Sequence, residues 1–164
     1  METKYKMFDF AKIVKAIHYW SWQELIWGQR NHIIRNRDII EYAKYMLEED
    51  IKGFSDVLEL SIANEDEDIT SLLVKLADLD EEGPDEAIKE KWQYAILLDL
   101  YNNQDEYDNV YENVEKIYAD FDYPANMASF IRYMPSNSGR SVEESWEIYL
   151  KEESTHFENP DKVI

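Results

Sequence analysis

Apolar residues recur every three or four positions along most of this chain, and stretches that alternate apolar and polar residues are nearly absent. Helical spacing places apolar side chains on one face of an α-helix, whereas alternation would place them on one face of a strand. The apolar positions of Phe10–Ile17 and Ile69–Ala77 are two examples of the helical pattern. The sequence therefore predicts an all-α fold in which each helix buries one face.

Helix start signals divide this pattern into short elements. Ser21 with Glu24, and again Ser141 with Glu144, have the S-x-x-E spacing of a capping box, in which the hydroxyl and the carboxylate bind otherwise free backbone N–H groups. Pro84 is suited to the first turn of another helix. We predict a compact multi-helix bundle of about eight or nine short antiparallel helices joined by brief connections.

The length of 164 residues is sufficient for one domain with a real core and short for two independent domains. We predict a single all-helical domain over residues 1–157 and a C-terminal tail over residues 158–164. Inside the domain, the stretch SNSGR at residues 136–140 predicts a loop.

The composition also indicates the cellular compartment in which the protein functions. The chain contains no cysteine, which fits a reducing environment. Its N-terminal residues lack the continuous apolar segment of a signal peptide, and no apolar run approaches the roughly 20 residues needed to cross a bilayer. We expect a soluble, cytoplasmic protein.

The formal net charge of −19 is unevenly distributed. Residues 1–47 carry eight Lys and Arg against five Asp and Glu, whereas residues 48–164 carry nine against 31. Such a field repels nucleic acid and anionic membranes and attracts cations, so we expect a cationic protein partner and neither nucleic acid nor membrane. An acidity that serves only solubility is the alternative, and the sequence leaves it open.

No motif in the sequence is typical of a metal site or a catalytic centre. The loop at residues 78–89 begins like a calcium-binding loop, but Lys89 stands where a bidentate Glu is required. Glu153 and His156 form one E-x-x-H pair, and a dimetal site within a bundle needs two. We therefore expect no catalytic residue, no metal and no cofactor in a protein that is not an enzyme.

Tryptophans cluster in the stretch HYWSWQELIWGQ, as Trp20, Trp22 and Trp27. Their rings could form a cage for a cationic ligand. Tryptophans beside a capped helix end are more often core residues whose indole N–H finds one partner, and this interpretation is favoured.

Residues 101–124 combine five tyrosines with seven Asp and Glu and one lysine. On a continuous helix, the apolar residues from Tyr107 to Phe121 fall within one arc, with tyrosines at its border and carboxylates alongside. Tyrosine is a rigid amphipathic residue enriched in protein interfaces. We predict a partner-binding edge in which tyrosines anchor and carboxylates complement charge: Tyr107, Asp108, Tyr111, Glu112, Glu115, Tyr118 and Asp122. An ordinary solvated amphipathic helix is the alternative.

The segments WSWQELIWG (20–28) and IIEYAKYML (39–47) resemble an uncharacterised family of small, acidic, all-helical bacterial proteins, many of which look like immunity proteins of polymorphic toxin systems. The resemblance implies a cytoplasmic protein that binds a co-encoded toxin domain, often a nuclease, and blocks its active site. It implies no catalytic residue.

Two other functions stay open at this point. One is a helical adaptor or scaffold whose partner is a cellular protein or a second copy of the chain. The other is a metal-dependent hydrolase that uses the acidic loops. The sequence predicts no oligomeric state.

Overall fold

The computed structural model of the chain describes residues 3–81, 83–135 and 139–157, and helices are the regular elements within these ranges. The α-helices are α1 Phe10–Ala16, α2 Trp22–Arg30, α3 Asn36–Met46, α4 Phe54–Ser61, α5 Thr70–Ala77, α6 Asp85–Asn102, α7 Val110–Asp120 and α8 Val142–Phe157. Two 3₁₀ helices cover Gln104–Glu106 and Ala125–Phe130. The predicted all-α fold of short helices is confirmed. Residues 136–138 of the predicted loop and the predicted tail 158–164 lie outside the described residues.

The two predicted capping boxes lie at the helix starts that the sequence indicated. At α2, the Ser21 hydroxyl accepts from the Glu24 N–H at 3.1 Å, and the Glu24 carboxylate accepts from the Ser21 N–H at 2.8 Å. At α8, the Ser141 hydroxyl accepts from the Glu144 N–H at 3.1 Å and donates to the Glu144 carboxylate at 3.3 Å. The reciprocal carboxylate bond to a backbone N–H, which completes a capping box, is present at α2, whereas at α8 the Glu144 carboxylate accepts from the Ser141 hydroxyl. The bonds from backbone N–H groups satisfy donors that a helix start leaves without an intrahelical partner.

The chain divides into two compact units, the first extending to Ile88 and the second beginning at Lys89, a boundary that falls within α6. In the first unit α3 packs against α1 and α4, and α5 packs against α2 and α4. In the second unit α8 packs against the 3₁₀ helix Ala125–Phe130. A single domain over residues 1–157 stays a prediction.

Tyr42 of α3 joins the segment before α2 to the core of the first unit. Its hydroxyl accepts from the Trp20 N–H at 2.7 Å and donates to the Trp20 carbonyl at 3.1 Å. Its ring lies 6.2 Å from that of Phe10 and 5.9 Å from that of Trp22. The Trp20 indole N–H donates to the Ile17 carbonyl at 3.0 Å. Trp20 and Trp22 are therefore core residues, as the sequence favoured, whereas Trp27 is half-buried.

Aromatic rings fill the core of the second unit. Trp146 of α8 is fully buried and stacks on Phe130 at a centroid distance of 6.3 Å. The buried Gln93 of α6 donates to the side-chain oxygens of Asn126 at 2.9 Å and of Tyr149 at 3.2 Å. These hydrogen bonds satisfy a buried amide that would otherwise destabilise the core.

None of the helices that the structure describes is both long enough and apolar enough to span a membrane.

Candidate functional site

The C-terminal end of α7 positions an exposed aromatic side chain. The Asp122 N–H donates to the Ala119 carbonyl at 3.1 Å, and the Tyr123 N–H donates to the Tyr118 carbonyl at 2.8 Å. These are the two hydrogen bonds of a Schellman motif, and Asp122, with φ 64°, occupies the left-handed position where glycine is most common. The motif places the Tyr123 ring against the Tyr118 ring, which is the apolar contact that accompanies this ending.

Three tyrosines meet at this helix end. The Tyr118 ring contacts the Tyr123 ring edge to face at 5.2 Å and the Tyr133 ring at 6.4 Å. Tyr118 is only 5% exposed, whereas Tyr123 is 59% exposed and Tyr133 is 62% exposed. The buried ring therefore supports two exposed rings. We call Tyr118, Tyr123 and Tyr133 the tyrosine surface.

The backbone at the tyrosine surface is strained. Tyr123 follows Asp122 in the left-handed region with φ 55°, which is uncommon for a bulky side chain. Each such residue costs about 1 to 2 kcal/mol relative to an ordinary conformation, with aspartate at the lower end. Positions of this kind are concentrated at functional sites, where the surrounding structure imposes them.

An ion pair lies beside the tyrosine surface. Arg132 donates from Nε to Glu115 Oε2 at 2.8 Å and from Nη2 to Glu115 Oε1 at 3.0 Å, a bidentate geometry. The hydrogen bonds from Arg132 lower the pKa of Glu115. Because Arg132 directly precedes Tyr133, the pair fastens the segment that carries this tyrosine to α7. Glu115 was predicted to contact a cationic partner, but in the structure its carboxylate is already paired with Arg132 of the same chain.

Tyr111 continues the aromatic region along α7. The Arg132 guanidinium carbon lies 5.9 Å from the centre of the Tyr111 ring, within the range of a cation–π contact. The Tyr111 ring also meets the ring of the buried Trp146 edge to face at 5.9 Å. The pKa of Tyr111 is raised, first by burial and then by the negative charges of Glu143 and Glu147.

The prediction of one continuous helix from Tyr107 to Phe121 is wrong. Tyr107 is extended, with φ −111° and ψ 140°, and α7 begins only at Val110 after an extended Asn109. Tyr107 and Asp108 therefore do not share the register of α7. A 3₁₀ turn and the extended residues after it break the helical spacing that the apolar pattern suggested.

The other predicted contact residues lie on α7 or just after it. Tyr111, Glu112, Glu115 and Tyr118 belong to the helix, and Glu112 is exposed. Asp122 follows the helix and is exposed. Tyr118 presents little surface of its own, so its part is to support Tyr123 and Tyr133.

Sequence reasoning missed Tyr123, Tyr133 and Arg132. A cue for Tyr123 existed, because an Asp between the last apolar position of a helix and a proline suits a left-handed helix end. Nothing in the local pattern indicated that Arg132 and Tyr133 contact side chains of α7, because these contacts depend on the tertiary fold.

The described part of the chain was also compared with the geometry of a metal site. Within residues 3–81, 83–135 and 139–157, no three His, Asp or Glu side chains lie together in a way that could hold a metal ion.

The family model described as "Uncharacterized protein conserved in bacteria (DUF2247)" matches residues 10–154. Searches of curated proteins and of solved structures gave no match to this chain.

Proposed function

We propose that this chain, which belongs to the DUF2247 family of conserved bacterial proteins, is a non-enzymatic binding protein whose tyrosine surface docks on a cationic protein. The observation that carries the proposal is the exposure of Tyr123 and Tyr133 on a buried tyrosine ring. Tyrosine residues of this kind are enriched among the anchors of protein interfaces.

The tyrosine surface has the construction of an interface anchor. The ring contacts with Tyr118 hold Tyr123 and Tyr133 in place, so both have little side-chain freedom left to lose on binding. Each ring also combines an apolar face with a hydroxyl that can find a partner when desolvated. Pre-ordered aromatic rings of this kind contribute binding energy at small entropic cost.

The charge around the tyrosine surface favours a cationic partner. Residues 101–124, which include all of α7, carry seven carboxylates and one lysine, and one of these carboxylates, Glu115, is paired with Arg132. Residues 89–164 carry 16 Asp and Glu against seven Lys and Arg, a net charge of −9. A basic protein is attracted to such a unit over a Debye length of about 10 Å at 0.1 M salt.

The partner we propose is a co-encoded toxin domain, so that the chain acts as an immunity protein in the cytoplasm. Segments 20–28 and 39–47 resemble an uncharacterised family of small acidic helical proteins, many of which look like immunity proteins, and this resemblance supports this part of the proposal. A nuclease toxin must bind the phosphate backbone and therefore has a basic cleft. An acidic surface with two aromatic anchors would cover such a cleft. Its carboxylates would occupy the basic groups that otherwise bind the nucleic-acid substrate, and their negative charge would repel that substrate.

The test is rescue by co-expression. The partner to try is a basic C-terminal domain of the protein encoded by the neighbouring gene, and a neighbour without such a domain contradicts the immunity role. Cells that express this domain are grown with the wild-type chain, with Tyr123→Ala/Tyr133→Ala, or with Tyr45→Ala. Tyr45 is a matched control because it is 57% exposed and belongs to the first unit. We expect wild type and Tyr45→Ala to restore growth and the double variant to fail.

Folding is checked by the circular dichroism and thermal unfolding of each variant. A wild-type chain that neither binds the neighbouring domain nor restores growth contradicts the immunity role. A folded double variant that protects as well as wild type contradicts the assignment of the tyrosine surface.

A further inference from the structure

A pocket of about 550 Å³ opens in the first unit, between the start of α2, the α3 helix and the segment after α5. Its lining includes the aromatic side chains of Tyr19, Trp22 and Tyr42 and the carboxylates of Asp80 and Glu81. This volume lies within the range of small-ligand sites in proteins.

The aromatic part of the lining is fixed by the core. Trp22 and Tyr42 meet edge to face at 5.9 Å with an interplanar angle of 79°. The Tyr42 hydroxyl already accepts from and donates to the backbone of Trp20, and the residue is only 2% exposed, so Tyr42 supports the pocket wall. Tyr19 is 49% exposed and provides an accessible ring at the edge of the pocket.

The carboxylate of Asp80 is held at the pocket by a helix start. It accepts from the Gln23 N–H, in the first turn of α2, at 2.9 Å. Burial raises the pKa of Asp80 even though this hydrogen bond opposes the rise. The pKa of Tyr19 is also raised, first by burial and then by Asp80, Glu24 and Glu81, so three acidic groups act on one phenol.

Lys52 lines the same pocket, and its ammonium group donates to the Leu79 carbonyl at 3.0 Å. That bond ties Lys52 to the pocket wall. The lining includes two carboxylates, of Asp80 and Glu81, and one ammonium group, of Lys52, so it carries a net charge of −1 when all three are ionised. Aromatic rings and excess negative charge are the two features that recognise an organic cation in proteins.

We propose that this pocket binds an organic cation, namely the ammonium or guanidinium group of a small amine or of a lysine or arginine side chain. Tyr19 and Trp22 provide aromatic surface for the cation and its carbon chain, and Asp80 provides the opposite charge. This site shares no residue with the tyrosine surface, because every residue named for it belongs to the first unit.

The test is a titration of the full chain followed by the indole N–H signals in NMR spectra. The probes are n-butylamine, N-acetyl-lysine methylamide, N-acetyl-arginine methylamide and the neutral N-acetyl-norleucine methylamide. We expect the cationic probes to shift the Trp22 indole signal and to bind about 10-fold more tightly than the neutral probe, a ratio typical of one charge contact combined with a cation–π contact.

Two variants and one control locate the binding. Asp80→Asn/Glu81→Gln and Tyr19→Ala are each expected to weaken the cationic probes about 10-fold. Glu65→Gln/Asp66→Asn removes the same charge from exposed positions outside this pocket and is expected to leave binding unchanged.

Tighter binding of a capped amino acid than of butylamine identifies a protein side chain as the ligand, and the reverse order identifies a free amine. Equal binding of charged and neutral probes overturns the proposal. So does an equal loss of affinity in the control variant, because the effect would then be one of total charge.

Discussion

The substitution Tyr42→Phe tests how the first unit is held together. It removes one oxygen atom and leaves the ring contacts with Phe10 and Trp22 in place. The lost hydroxyl makes two hydrogen bonds with the Trp20 backbone, at 2.7 and 3.1 Å, across 22 residues of sequence. The variant therefore isolates two buried hydrogen bonds from the packing around them.

The expected loss follows from these two bonds. A hydrogen bond inside a protein contributes about 1 kcal/mol net, so the pair contributes about 2 kcal/mol to the free energy of unfolding. Leaving a buried amide less well satisfied adds to the loss, so about 3 kcal/mol is the upper end of the expected range. For a chain of this size, a loss of about 2 kcal/mol lowers the melting temperature by about 4 to 8 °C.

Urea unfolding followed by tryptophan fluorescence measures this loss, because Trp20 and Trp22 lie beside the substituted ring. Tyr45→Phe is the matched control, since the Tyr45 hydroxyl is exposed and lies 3.5 Å from His18 Nδ1. We expect the control to change stability by less than about 0.5 kcal/mol. A Tyr42→Phe chain as stable as the control would refute the energetic role assigned to the hydroxyl.

Two further predictions concern one position in each unit. Gly53→Ala is expected to lower the free energy of unfolding, measured in urea, by about 1 to 2 kcal/mol. The reason is that φ is +75° at this position and the added methyl group would lie 2.7 Å from Leu79 Cδ1. Unchanged stability would show that the backbone there relaxes freely. Glu115→Gln is expected to lower the urea midpoint at neutral pH, since Arg132 lowers the pKa of Glu115 in the folded chain. A depressed carboxyl pKa stabilises the folded state above the unfolded value of about 4.3, so the difference should disappear as the pH falls through the folded pKa. Glu112→Gln is the matched control, and an equal, pH-independent loss in both variants would contradict the pairing.

Most of the fold was predictable because its signals are local. Capping by Ser21 and Ser141 depends on residues three positions away, and the helices begin where the hydroxyls indicated. Asp38 gave a less accurate boundary. An aspartate directly before an apolar helical pattern, as Asp38 stands before Ile39, predicts a helix start at that position. In the structure α3 begins at Asn36, and the Asp38 carboxylate accepts from the Arg35 N–H at 2.9 Å. A carboxylate can cap from inside the first turn, so its presence fixes a helix start only to within a few residues.

The site was only partly predictable, because its geometry depends on irregular backbone and on contacts distant in sequence. Periodicity placed Tyr111 and Tyr118 on one helix, as observed. It did not foresee the left-handed ending that brings Tyr123 onto Tyr118. Nor could it foresee that Tyr133 packs against Tyr118 after an interval of 15 residues.

Equilibrium binding to the proposed partner, a basic C-terminal domain encoded by the neighbouring gene, tests the central claim most directly. Isothermal titration compares the wild-type chain with Tyr123→Ala/Tyr133→Ala and with Tyr45→Ala. Truncating an interface anchor costs about 2 kcal/mol of binding free energy, so we expect the double variant to bind at least about 30-fold more weakly than wild type. We expect Tyr45→Ala to leave the Kd unchanged. Raising NaCl from about 0.1 M to about 1 M shortens the Debye length from about 10 to about 3 Å and should weaken wild-type binding. A folded double variant whose Kd equals that of wild type, or an affinity insensitive to salt, would contradict docking through an acidic tyrosine surface.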